Sequence, residues 1–251
     1  MGATSRERYA VVSCHVERLL DDEVWARFSS LLANRPGGFA VAALVRPPDE
    51  GAGEDAVLWL ERAREAAARG PFGHHTHWTA PDHARPTGDV ATGERVLREG
   101  RWMQEQGLAP TLFCGGGWHT DVDVAGACAV LGYTDCTPRA TRPPYLAAGE
   151  RWAELGAPAA VRLPSSQSVL AVATTHSLGD LARALVRRGE LPIVTHVYFH
   201  DTDLLDRRRR ALLAVVLPLL ARRARATNLD ELTRRLGSDA PELEWADVAR
   251  S

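Results

Sequence analysis

Nine histidines occur in the 251 residues, and most of them end or follow runs that read as β-strands. His15 and Glu17 lie at the end of the first such run, Tyr9 to Val16. The two-residue period of a strand places both side chains on one face. His75 and His77 share a parity at the end of a run from Phe72 to Trp78, and His196 and His200 share one on the run that starts at Leu191. Parallel sheets and α/β barrels build their sites at the C-terminal ends of strands. Three segments distant in sequence are therefore expected to converge on one rim. Two imidazoles and a carboxylate make a common ligand set for a divalent ion that keeps a position open for water. Such an ion acidifies bound water and polarises a carbonyl oxygen. Glu17 and His75 lead this set. The third ligand is His77, which has the right parity, or His83, which a loop can carry in. His15 is either a further ligand or a base. His74 and His83, taken singly, read equally well as satisfied or merely exposed side chains.

A second signal is His200-Asp201-Thr202-Asp203. A carboxylate beside an imidazole fixes its tautomer and raises its pKa, as a general acid requires. Neighbouring residues point apart, so Asp203 or a distant carboxylate is the expected partner, while either aspartate could instead cap a helix. The run Phe113-Cys114-Gly115-Gly116-Gly117-Trp118-His119-Thr120-Asp121 follows another strand. Its small residues would let the backbone approach a ligand closely. Trp118 and Trp78 could stack on a sugar face or close the mouth of the fold. Asp121 is counted with the substrate-binding candidates and also as a helix opener. Arg139 and Arg142 could take a substrate carboxylate or phosphate, or lie solvated in their loop.

The elements that must position these groups alternate. Strands are expected at Tyr9–Val16, Phe39–Val45, Phe72–Trp78, Thr111–Cys114, Tyr133–Cys136 and Leu191–Phe199, with a small hairpin around Pro164-Ser165-Ser166. Amphipathic helices are expected over about Asp22–Leu32, Glu54–Arg69, Glu94–Gln106, Asp123–Leu131, Leu178–Arg188 and Leu204–Arg225, with a last short one ending at Leu236. This order argues for a single α/β domain over 1–251 with a mainly parallel sheet. Six or seven β/α units fit a barrel better than two domains, and an open doubly wound sheet is the other arrangement.

Lys and Arg total 30 against 32 Asp and Glu, so the net charge is −2, which argues against a general nucleic-acid binder. Arg207 to Arg210 is read as the wet face of a helix. Apolar stretches are too short to span a bilayer. Cys14, Cys114, Cys128 and Cys136 are scattered, which suggests free thiols inside the cell. No leader-like segment is read at the N-terminus, so a cytoplasmic protein is expected.

From about Val11 to Leu236 the chain resembles the polysaccharide deacetylase superfamily, the NodB-homology or carbohydrate esterase family 4 group. Cys14-His15-Val16-Glu17 stands where that family ends its first strand with an acidic base and an acidic ligand. Glu17 matches the ligand, and His15 replaces the base. Gly73-His74-His75-Thr76-His77-Trp78-Thr79 matches the motif with two metal histidines at His75, but the second falls on Thr79. Phe113-Cys114-Gly115-Gly116 puts Cys114 near the place of the arginine that orients the base. His200 matches the histidine that ends the last strand. Base and arginine are replaced together, as a unit.

The resemblance implies a distorted (β/α)7 barrel and metal-dependent removal of acetyl groups from sugars. The expected activity is hydrolysis of an amide, with an N-acetylated amino sugar or a related intracellular metabolite as substrate, small or linked to a nucleotide or lipid. Glu17, His75 and His77 or His83 would hold one divalent ion, Zn2+ first and Co2+, Ni2+, Fe2+ or Mn2+ otherwise. His15 would act as base and His200 as acid, with Trp78, Trp118, Asp121 and Arg139 toward the substrate. The alternative is an inactive barrel of the same kind that binds a saccharide or a protein partner.

Overall fold

The computed structural model describes residues 7–88 and 90–251. Short apolar runs flanked by turn residues form strands, and the amphipathic stretches between them form helices. In order, β1 is Tyr9–Val16, α1 Asp22–Asn34, β2 Ala42–Val45, α2 Ala56–Ala67, β3 Phe72–Thr76, α3 Thr92–Glu105, β4 Leu112–Gly115, α4 Val122–Leu131 and β5 Thr134–Asp135. Then follow β6 Trp152–Ala153, β7 Ala159–Arg162, β8 Ser168–Ala171, β9 His176–Ser177, α5 Leu178–Val186 and β10 Val194–His200. The chain ends with α6 Arg207–Ala221, β11 Arg225–Ala226, α7 Leu229–Leu236, β12 Glu242–Glu244, α8 Trp245–Val248 and β13 Ala249–Arg250.

The result is a mixed α/β fold with a mostly parallel central sheet, ordered β12-β7-β8-β5-β4-β3-β2-β1-β10-β9, with β11 beside β1. Among the described residues, only the β7–β8 pair within it is antiparallel, and it is the hairpin expected around Pro164. β6 and β13 form a separate antiparallel pair. β1 to β4 are buried on both faces almost throughout, as the strands of a covered parallel sheet must be. The stretch from β8 to β9 runs between β5 and β10. β8 pairs with β5 at Asp135 and Ala171, Thr174 N donates to Pro138 O, and β9 pairs with β10.

Aspartate and asparagine side chains cap several of the helices. Asp21, Asp55, Asp121 and Asp206 each accept two backbone N–H groups at a helix start, and Asn228 accepts one. Each such cap stabilises by about 1 kcal/mol. The sixth helix was expected from Leu204, but Asp201–Leu205 forms a tight 3-10 turn and Asp206 starts the helix proper. Arg207, Arg208 and Arg209 are exposed on its first turn.

The larger core lies between the sheet and its helices, around Phe28, Trp59, Phe199 and Leu217. A smaller one fills the inner face, where Val11, Leu44, Leu112 and Cys136 meet Leu229 and Leu232 of α7. Burying each of these leucines stabilises by about 2 kcal/mol. Inner-face side chains nearer the C-terminal strand ends are polar. All four cysteines are free and buried. Among the described residues, no helix is long and apolar enough to cross a membrane.

Candidate metal centre

Strand register brings the distant histidines together. β1 and β10 pair with His15 opposite His200, and β3 and β4 pair with His75 opposite Cys114. β3 alternates faces, so His75 and His77 point inward while His74 and Thr76 point outward to Glu99 of α3. Gly73 permits the close strand spacing below His75, since a Cβ there would lie 2.7 Å from Leu112 Cβ.

The tautomers follow from the partners. His75 Nδ1 lies 2.8 Å from the Cys114 carbonyl oxygen, and His77 Nδ1 lies 2.6 Å from that of Pro81. A carbonyl oxygen only accepts, so both Nδ1 atoms carry hydrogen and donate. A neutral ring with its hydrogen on Nδ1 holds its lone pair on Nε2. Both Nε2 atoms are buried without a hydrogen-bond partner. They lie 3.6 Å and 3.2 Å from Glu17 Oε1, and His200 Nε2 is 3.6 Å from the same oxygen. Burial pushes the His75 imidazole down to about 4, so it is neutral at pH 7. Lone pairs turned toward a carboxylate repel it, and a cation among them makes the contacts favourable. Ligand atoms of Glu17, His75 and His77 all lie within 4.8 Å of one another, which suits one ion. Carbonyl acceptors on the far ring nitrogens are the usual support of metal-bound histidines.

His15 stacks on His75 with ring centroids 4.7 Å apart, and its Nε2 is also buried without a partner. Burial, with His75 and His200 nearby, pushes its pKa well below the ordinary value, so the ring is neutral. His15, His75 and Cys114 form a second, overlapping group of donor atoms. His75 has one free nitrogen and serves one ion, and burial pushes the Cys114 thiol up, away from the thiolate. The carboxylate-containing group is the better cation site.

His77 takes the position left open between two candidates. His83 is exposed on the loop that bridges back to Ala80 and lines the cleft without joining the donor group. Thr79, where the resembling motif has its second histidine, donates instead to the Arg85 carbonyl oxygen. His200 stands on the cleft wall, and of the two expected partners, Asp203 or a distant carboxylate, the structure gives the distant one, Glu17. Asp203 accepts from the His200 backbone N–H and pairs with Arg209. Asp201 accepts the backbone N–H groups of Glu17 and Arg18 at 3.0 and 2.8 Å and so sets the position of the Glu17 backbone. Burial pushes its carboxyl up to about 6.

Several substrate-side expectations change. Trp78 is 1% exposed and its indole N–H donates to the Gly116 carbonyl, so it offers no stacking face. Asp121 caps α4 and accepts from Thr92, beside a different cleft lined by Trp152 and Trp245. Within the glycine run, Gly116 meets its own fold, where a Cβ would lie 2.6 Å from Thr76 O and 2.7 Å from Ala84 O, while Gly115 and Gly117 line the cleft. Arg142 donates to the carbonyls of Leu146 and Ala147 and orders its loop. Trp118 does line the cleft, in the left-handed backbone region at φ 60°, a strain that clusters at functional sites. Arg139 is buried behind it.

The cleft above the donor group encloses 460 Å³. The lining residues not singled out in the sequence include two aromatic ones, Tyr145 and Tyr198. The parity of Tyr198 with His196 and His200 would have found it. His196 sits deeper, with Nε2 2.8 Å from Ser13 Oγ.

No family model and no curated protein matches this sequence. Among solved structures, the chain is similar to a 4-alpha-glucanotransferase from Thermococcus litoralis, at a TM-score of 0.55 and 10% sequence identity. The match covers 91% of this chain and 38% of the other, so the chain spans well under half the length of that enzyme. At this identity the likeness concerns the fold alone.

Proposed function

We propose that the protein is a metal-dependent amide hydrolase that removes the acetyl group from an N-acetylated amino sugar or a related small metabolite. The observation that carries this reading is the pair of buried Nε2 lone pairs, on His75 and His77, turned toward Glu17. These three residues would hold the ion, zinc before cobalt, nickel, iron or manganese. When bound, it supplies a Lewis acid for an amide carbonyl and lowers the pKa of water. His15, held neutral by burial, is in the state a general base needs and takes the proton of the attacking water. His200, on the exposed side of the rim, returns a proton to the leaving amine nitrogen. Asp201 keeps Glu17 in place through two backbone bonds. Trp118 and Tyr198 wall the cleft and exclude water from one side.

A volume of 460 Å³ suits a sugar-sized ligand. We also infer that the stretch joining β5 to β10 completes a distorted seven-unit β/α barrel, which would enclose the inward side chains. Four reduced, buried cysteines favour a cytoplasmic setting, with a free, nucleotide-linked or lipid-linked sugar as substrate.

Acetate release from a panel of N-acetylated sugars, measured with added Zn2+, Co2+, Ni2+ or Mn2+, tests the activity. Release that chelation abolishes and the ion restores is expected. A folded, metal-loaded protein that releases no acetate from any of them would instead favour a binding role.

A further inference from the structure

Arg139 is 7% exposed, and among the described residues it has no carboxylate partner. Its Nε and Nη1 atoms are buried without hydrogen-bond partners. A guanidinium is always charged, and an unpaired buried charge is costly. The guanidinium carbon lies 4.5 Å from the Trp118 ring and 5.0 Å from the Tyr198 ring. Such stacking returns part of the desolvation cost and leaves the donors unsatisfied. Both rings line the cleft above Glu17, His75 and His200. Arg85, which lines the cleft, is already paired with Glu150, whereas Arg139, behind the cleft's aromatic wall, lacks an anion among the described residues.

We infer that the substrate supplies that anion: Arg139, packed against the Trp118 and Tyr198 rings, recognises a carboxylate or phosphate carried by the amide compound. The inference rests on the proposed activity for the word amide, and on Arg139 alone for the charge. It narrows the substrate class to N-acyl compounds with an acidic group close to the acyl nitrogen. Neutral N-acetylated sugars then fit less well than acidic or phosphorylated ones. Arginine presents paired N–H donors that match two oxygens of either group.

Inorganic phosphate and N-acetylglycine are the probes, each titrated into the full-length chain and followed by tryptophan fluorescence. N-acetylglycinamide serves as the neutral control. At least one anion should saturate, the control should not, and the tighter anion names the group. Arg139→Gln should weaken the binding at least tenfold. His77→Ala, lacking a metal ligand, should bind the anion within about threefold of wild type, so loss of the metal reading would leave this one standing. Anion binding that survives Arg139→Gln but disappears in His77→Ala would place the anion on the ion and overturn the inference. Absence of saturation by both anions would overturn it too. If circular dichroism shows Arg139→Gln unfolded, Arg139→Lys carries the comparison: several-fold weaker binding supports the inference and unchanged affinity overturns it.

Discussion

His74 and His75 are neighbours on β3, yet they face opposite sides of the sheet and meet opposite chemistry. On the outer side, His74 Nε2 lies 2.9 Å from Glu99, and the same carboxylate accepts from Thr76 and Arg95. Burial opposes ionisation of Glu99, but His74 and Arg95 overcome it and lower its pKa. That anion has a cation and a hydroxyl donor in place, so the cluster holds α3 against the sheet. On the inner side, Glu17 faces imidazole nitrogens whose hydrogens are committed elsewhere. Both sides set histidine beside glutamate. What differs is whether the carboxylate's donors are present in the fold, and this separates a structural pair from the proposed ion site.

The widest test of the contrast is His200→Ala. Loss of the proposed acid should cut turnover by about 10²–10⁴ while metal content stays the same. Turnover within threefold of wild type would remove His200 from the chemistry.

On the outer side, Glu99→Gln should cost about 3 kcal/mol of stability, because Arg95 and His74 lose their shared partner. Metal content should be unchanged. Denaturant unfolding, with elemental analysis of the same sample, checks both, and loss of metal would break the separation of the two faces.

Asp135 sharpens the rule from a third position. It is buried with Thr137 as its hydrogen-bonding neighbour, and burial pushes its carboxyl up to about 6 from 3.8. A raised carboxyl favours the fold when protonated. That contribution is complete below pH about 3.8 and is lost as pH rises through about 6. Asp135→Asn should therefore be more stable than wild type above pH 6, by up to about 3 kcal/mol, and equal to it below pH 4. Thermal melts across that range read the crossover, and a constant difference between the two proteins would contradict it.

Trp78→Phe has the smallest expected effect. It removes one buried hydrogen bond to Gly116, which costs about 1–2 kcal/mol, and leaves substrate affinity within twofold. A large rise in KM would return Trp78 to the binding surface.

Much of this was readable before any coordinates. Strand parity alone put His15, Glu17, His75 and His200 on one rim, because a two-residue period and a parallel register leave little freedom. The choice of His77 over His83 was not fixed by parity, since a loop can carry any residue inward. It rests on the Pro81 carbonyl, which turns the His77 ring. Asp121 misled because one side chain can cap a helix and also look like a ligand-binding acid. Gly116 misled because close approach to one's own backbone and to a ligand demand the same residue. Beyond Leu236 the sequence carried no strong period, and β12, α8 and β13 are short elements defined by their partners, β7 and β6.

The central claim is that Glu17, His75 and His77 hold one divalent ion. Elemental analysis of untagged protein, set beside Glu17→Ala, His77→Ala and the outer-face Glu99→Gln, tests it most directly. The expected result is near one ion per chain in wild type and in Glu99→Gln, and near none in the two inner-face variants. Folded wild-type protein that takes up no divalent ion after reconstitution, or inner-face variants that keep it, would contradict the claim.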